Sequence, residues 1–448
     1  MNYKIGLVAA ASLISGASVG ADRLEIPSSF NPVGSGARAL GQGGSFIATA
    51  DDASAASWNP GALTQLRQTE IAAMFSHTQL SEDNSFSSET DLNGKQDVSN
   101  SELNYLAFSM PCRAATCGKN MVFSVNYQRL YDFSREWKLS RKIDDGLSSG
   151  NEKINYEQDG SLYALGLAAA VQLTDNLSVG LTVNFWEDFV NDNEWTQNYN
   201  SSESVTQIDT LRNEDAQFTT TNGFTGTNFN LGLLWDVYQQ GQQKLTIGAV
   251  YKSAFEAEVN QTSQAKINTV YPELNGFDEQ NSVGPNNENL KIDMPSSIGL
   301  GVAFQWNDSF TTSLDVYQTA WSDFVLTDQD GNKRSPLSGK LLSTVAQLKD
   351  TTQIRLGGEY RIISQKAGSN YIIPIRAGLF IDPAAAEGET DDTYGFSVGT
   401  GIAYQNWVFD VAYQHRIASD IGQSAMQSLG YKQDITEHLI MGSVFYRY

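Results

Sequence analysis

From Gln68 to the C-terminus the chain alternates large apolar residues with small or polar ones at a period of two, the spacing of a strand whose successive side chains point to opposite faces. Val179, Leu181, Val183 and Phe185 alternate with Ser178, Gly180, Thr182 and Asn184, and Ile298, Leu300, Val302, Phe304 and Trp306 alternate with Gly299, Gly301, Ala303 and Gln305. The pattern recurs in Phe229, Leu231, Leu233 and Trp235, in Ile354, Leu356 and Tyr360, and in Trp407, Phe409, Val411 and Tyr413. Opposite the last two runs stand Arg355, Glu359, Arg361 and Asp410. No run of ~18 consecutive apolar residues follows the first twenty-one residues, so any membrane role must be carried by strands. A soluble sandwich would bury the apolar face against a second sheet. A closed barrel would turn it to lipid and keep the charges in its lumen.

The connections favour the barrel. Very short turns, such as Leu173-Thr174-Asp175-Asn176, Trp306-Asn307-Asp308-Ser309 and Tyr404-Gln405-Asn406, alternate with long polar segments. That is the short-inside, long-outside pattern of outer-membrane barrels. Strands are expected near Gln68-Leu80, Glu102-Met110, Asn120-Phe133, Tyr156-Leu173, Leu177-Val190, Gly223-Tyr238 and Lys244-Val259. The others fall near Lys291-Trp306, Phe310-Leu326, Thr351-Ile363, Tyr371-Asp382, Thr393-Tyr404, Trp407-Ile417 and Tyr431-Tyr448, about fourteen in all. Pro295 and Pro374 sit inside two of them and call for an edge or a bulge there, since proline donates no ladder hydrogen bond. Aromatic content of 11% suits the girdles of such a barrel, although a soluble all-β protein would fit it too.

Residues 1–21, with Lys4, an apolar core and Val19-Gly20-Ala21 before Asp22, have the layout of a cleaved secretory signal. The two cysteines, Cys112 and Cys117, are expected to pair across a tight turn in an exported chain. The formal charge of −22 argues against nucleic acid as a partner. It fits either solubility in a salty habitat or acidic outer loops bridged by divalent cations to a charged membrane surface.

Between leader and strands lies Val33 to Leu63, so rich in Gly, Ala and Ser that it folds tightly but builds no bulky core of its own. Asp51 and Asp52 are placed to cap one short helix, and Asn59-Pro60 supplies the cap and first position of another. A compact plug within a larger enclosure follows. The run Gly36-Ala37-Arg38 to Gly41, Gly43 and Gly44, the Asp51-Asp52 step and Trp58-Asn59-Pro60-Gly61 resemble the long-chain fatty acid transporter (FadL) family. The resemblance implies an all-β, fourteen-stranded outer-membrane barrel (67–448) whose N-terminal hatch (22–66) plugs the lumen. The last strand, with Ile440, Gly442, Val444, Tyr446 and the terminal Tyr448 on one face, resembles the signal recognised by the barrel-assembly machinery.

For the site, the resemblance implies a groove in the third and fourth outer loops, here 191–222 and 260–290. These loops offer Trp195, Val205, Ile208 and Leu211, and Val270, Tyr271, Leu274 and Phe277. It also implies a pocket touched by the mature N-terminus, at Leu24, Ile26 and Phe30, and release past the hatch or beside a kink in the third strand. Arg38, Arg355 and Arg361 are candidates to offset a carboxylate, and each is equally placed to pair with an acid such as Glu359. The expected partners are a hydrophobic small molecule, the bilayer and its lipopolysaccharide. A monomer without cofactor or metal is expected. Leu341, Leu342, Val345 and Leu348 share one helical face that would pack onto the barrel mouth.

Catalysis finds little support. His77, His415 and His438 are scattered through strands, and Gly395-Phe396-Ser397-Val398-Gly399 matches a nucleophile elbow but lies within a strand. Gly34 to Gly44 lacks the Gly-Lys-Ser/Thr ending of a phosphate loop, and the Asp328-Asp330-Gly331 turn lacks the distal glutamate of a calcium loop. A hydrocarbon transporter, a polar-solute porin and a surface adhesin remain as alternatives to fatty acid uptake.

Overall fold

The computed structural model describes residues 31, 34–274, 276–364, 371–388, 390–421 and 430–448. The leader 1–21 and the pocket candidates Leu24, Ile26 and Phe30 lie outside them. Among the described residues the strands close into an antiparallel barrel of fourteen, in which the first (Glu70–Phe86) pairs with the last (Tyr431–Arg447) through Ile71↔Tyr446 and Phe75↔Gly442. Five of the fourteen are interrupted: the third (Met121–Asp132, then Arg135–Asp144), fifth (Leu177–Trp186, then Glu194–Gln207), seventh (Gln243–Lys252, then Phe255–Val270), eighth (Glu279–Met294, then Ser297–Gln305) and ninth (Phe310–Thr319, then Val325–Thr327). The expected proline effect appears at Pro295, which falls in the break of the eighth, while Pro374 stays within Tyr371–Ile381.

The outward register is apolar and exposed, as at Phe108, Leu231, Leu300, Leu379 and Phe409. The inward register holds buried charges in ion pairs: Arg376 meets Glu359 at 2.7 Å and Asp410 at 2.6 Å. Trp407 and Tyr446 pack at 4.7 Å near the rim where the turns are short, as an aromatic girdle requires. Cys112 and Cys117 are joined in a disulfide on that same rim.

Two expectations about the outer segments need correction. Segments 191–222 and 260–290 are not loops for most of their length. Glu194–Gln207 pairs with the sixth strand (Thr210–Gln240) down to Gln207↔Thr210, and Phe255–Val270 pairs with Glu279–Met294. Their polarity suggested loop, but a sheet with water on its outer face accepts Thr, Asn and Ser on that side. Ile208 and Asp209, at φ 48° and 64°, turn the first of these hairpins in two residues. The helix expected over Leu341 to Leu348 is a single turn, Leu342–Thr344, and only Leu348 is buried.

Residues 34–66 run inside the barrel as two short helices, Ala37–Gly41 and Ala55–Trp58, and a tighter turn, Pro60–Gln65. Asn59 accepts from Gly61 N at 3.1 Å, as expected for its cap. Asp51 and Asp52 do not cap: Ala55–Trp58 begins at Ser54, Asp52 accepts from Ser54 N at 2.9 Å, and Asp51 is engaged by Arg38. Gly36, Gly43 and Gly44, at φ 123°, 68° and 73°, turn where other residues are strained.

Cross-strand glycine pairs on the wall receive this segment. Gly180 faces Gly232 under Pro60 and Gly61, Gly248 faces Gly301 under Ile47, and Gly357 faces Gly378 under Gln42 and Gly43. A methyl at Gly180 would lie 2.4 Å from Pro60 C and O, and one at Gly378 would lie 2.2 Å from Gly43 N. Hydrogen bonds complete the seat: Asp315 accepts from Phe46 N at 2.7 Å and Ile47 N at 2.8 Å, and Ser443 Oγ from Ala37 N at 2.8 Å. Ser397, the elbow serine, sits in a strand with its hydroxyl accepting from Gly43 N at 2.8 Å.

Candidate functional site

The third strand leaves the wall. Its ladder with the second strand (Gly94–Cys112) ends at Tyr105 opposite Gln128. The next bond from the second strand to a backbone group of the third comes higher, where Gln96 Oε1 accepts from Lys138 N at 2.9 Å. On its other side it stays paired to the fourth strand (Ser148–Thr174), but the register shifts between Arg129 and Tyr131 and the strand breaks at 133–134. A seam is left between strands two and three, crossed only by side chains. Arg129 Nε meets Glu102 at 2.7 Å, Tyr163 OH donates to Glu102 at 3.1 Å, and Asn100 donates to Ser134 Oγ at 3.0 Å. No local breaker marks the departure, because this strand contains neither glycine nor proline.

Behind the seam, Leu130 and Tyr131 separate two cavities lying over residues 34–66. One, about 180 Å³, has Trp58, Leu40, Leu439, Met441 and Phe380 on its walls, with Arg129, Arg355 and Arg416 among them. The other, about 80 Å³, is lined by Trp186, Phe255, Met294, Tyr317 and Trp321. Above them an apolar girdle closes the lumen, in which Phe133 stacks on Trp195 at 4.7 Å and Trp186 on Phe255 at 5.8 Å. Of the two stacked pairs, sequence reasoning singled out only Trp195. Their common sign is position: Phe133, Trp186, Phe255 and Met294 each stand within two residues of a strand interruption, where alternation falters and a large side chain turns inward.

The expected arginines divide. Arg355 lies on the larger cavity, 5.3 Å over the Phe380 ring, donating to Gly43 O at 3.1 Å and 3.5 Å from Asp382. Arg38 and Arg361 lie on the opposite side of the inner segment, beside a polar cavity of about 120 Å³. Both meet Glu359, Arg38 at 3.1 Å and Arg361 at 3.8 Å. Burial lowers the Arg38 pKa, but Asp51 and Glu359 more than offset this and hold it well above the usual value. Burial pushes the Asp52 carboxyl up.

The groove residues are not brought together. Trp195 and Val205 are buried, Ile208 stands at a hairpin tip with 75% exposure, and Leu274 and Phe277 are exposed at the next tip, with Leu211 and Tyr271 half-buried nearby.

The chain's residues 29–439 match the family model described as outer membrane protein transport protein (OMPP1/FadL/TodX). The protein belongs to the OMPP1/FadL/TodX family. Its fold is similar to that of a Pseudomonas aeruginosa FadL homologue (TM-score 0.59, 14% identity, 94% of this chain and 100% of that one). It is also similar to the Pseudomonas putida toluene transporter TodX (0.54, 13%, 94% and 100%) and the Ralstonia pickettii toluene transporter TbuX (0.50, 16%, 94% and 100%). No curated protein matches the sequence. As a FadL/TodX-family barrel, the protein is an outer-membrane transporter of hydrophobic compounds, and family members are transport channels. Among the described residues no helix is long and apolar enough to cross a membrane.

Proposed function

We propose that the protein takes up long-chain fatty acids by passive diffusion, that residues 22–66 act as the hatch, and that the ligand leaves sideways into the bilayer through the seam beside the third strand. The two adjoining cavities behind that seam support this above all, since they join an apolar lumen to the wall where strands two and three have no ladder between them. Each buried methylene is worth ~0.8 kcal/mol, so a sixteen-carbon chain prefers such a route to water by roughly ten kcal/mol before ordering costs. Arg355 is the carboxylate anchor of choice. Its 3.5 Å contact with Asp382 is longer than the 3.1 Å between Arg416 and Glu437 or the 2.7 Å between Arg129 and Glu102, so it gives way most readily.

One observation favours a hydrocarbon instead: the larger cavity, about 180 Å³, is close to the ~150 Å³ that accommodates a benzene ring, and its arginines already have acidic neighbours. Uptake of labelled oleate and labelled toluene by expressing cells separates the two. Fatty acid transport predicts that Arg355→Gln lowers oleate uptake about tenfold, in keeping with one lost charge-assisted contact. Toluene uptake by wild type, with oleate excluded, would establish the hydrocarbon alternative, and uptake of neither would refute transport.

A further inference from the structure

The interruption of the fifth strand, residues 187–193, lies on the outside of the barrel and reaches the third strand at Tyr127, next to the lower end of the seam. Tyr127 fixes the side. It follows Phe123 and Val125 in the outward register of the third strand, and those two are 43% and 46% exposed, whereas Tyr127 is only 7% exposed. Two groups cover it: Tyr163, stacked on it with ring centroids 5.1 Å apart, and Asn191, whose Nδ2 donates to the Tyr127 hydroxyl at 3.0 Å. Tyr163 then reaches past the inward-bent third strand to Glu102.

The excursion is tied at its base. Asn193 Oδ1 accepts from Tyr163 N at 2.6 Å, Asn193 O accepts from Phe224 N at 2.7 Å, and Asn193 N donates to Asp188 at 2.7 Å. Its apex is apolar: Phe189 and Val190 are each 62% exposed. They follow Phe185, which pairs with Leu165 and Thr227 at the upper edge of the lipid-facing band. At that height an exposed Phe-Val pair is stabilised by entering acyl chains rather than water.

We propose that residues 187–193 form a lipid-anchored strap that closes the lateral seam from outside, with the acyl layer as the partner of Phe189 and Val190. Asn191 pins the strap on Tyr127. When the strap swings away, Tyr163 loses its cover, its hold on Glu102 loosens, and the seam behind Arg129 is bared. The strap's gating role rests on the lateral release proposed above, while its seat in lipid does not.

Two measurements test it. Cys112 and Cys117 are paired, so Val190→Cys supplies a single free thiol for a polarity-sensitive fluorophore. In proteoliposomes its emission is expected to be quenched by nitroxide-labelled lipid and spared by aqueous iodide. The reverse pattern overturns the strap, whatever the protein carries. In cells, Tyr127→Phe with Asn191→Ala removes the pin, and initial oleate uptake is expected to rise about two- to tenfold, the effect of one hydrogen bond on the opening step. A rate equal to wild type, with heat-modifiable gel mobility showing an intact barrel, overturns the gating role and leaves the transport reading standing. Failure of wild type to take up oleate and toluene refutes transport and the gating role with it, and the fluorescence arm still decides the strap.

Discussion

Placing alanine at both Gly180 and Gly232 tests whether the inner segment is held by shape. The two glycines face each other across the fifth and sixth strands, and a methyl on the second would lie 2.2 Å from Asn59 Oδ1 and 2.7 Å from Gly61 N. Atoms of the Gly180 methyl would meet Pro60 backbone at 2.4 Å, so neither side can yield by rotating a side chain. Overpacking of this kind costs about 1–3 kcal/mol per site. The two methyls press on the same turn and are not independent, so about 2–4 kcal/mol is expected for the pair. At 1.4 kcal/mol per tenfold, the population with the turn unseated rises roughly thirty- to a thousandfold. Hydrogen exchange at residues 59–63 reads that population directly, and planar-bilayer recordings should show brief openings absent from wild type. Gly442→Ala is the control, because nothing lies within 4 Å of its added methyl. If the double variant exchanges no faster than Gly442→Ala and stays electrically silent, the glycine pairs do not seat the segment.

Asp315→Ala should loosen the same segment chemically: Phe46 and Ile47 N–H lose their acceptor, at about 1–3 kcal/mol each, and their exchange should accelerate while that at residues 59–63 changes less. Asp315→Asn, which keeps an acceptor oxygen, should fall between the two. Replacing Cys112 and Cys117 by serine opens a closed loop spanning a sequence separation of only 5, so a loss of roughly 2 kcal/mol is expected in thermal stability. Oleate uptake should be unaffected by it, because the disulfide lies on the short-turn rim, far along the strands from Leu130 and Tyr131.

The membrane-embedded half of the wall was legible because lipid imposes strict alternation: Leu300 and Phe409 face outward where their periodicity put them. Above the membrane both faces tolerate polar residues, alternation fades, and the ladder from Glu194 to Gln207 looked like loop. The kink escaped for a different reason. No local breaker marks it, and Arg129 and Leu130 are drawn in by partners distant in sequence, Glu102 among them. Likewise Arg355 could be picked out as an inward charge, but whether it met an acid or stood ready for a ligand depended on Asp382, in the next strand's turn.

The staves of this barrel are very unequal. The sixth strand runs 31 residues and the twelfth (Thr393–Tyr404) 12, which at ~3.3 Å per residue and ~40° tilt is about 80 Å of height against about 30 Å. The outer aperture is therefore cut obliquely, like the lip of a scoop. A molecule descending from bulk solution on the high flank strikes a polar screen, whereas one travelling close to the cell surface on the low flank reaches the aromatic throat with little climb.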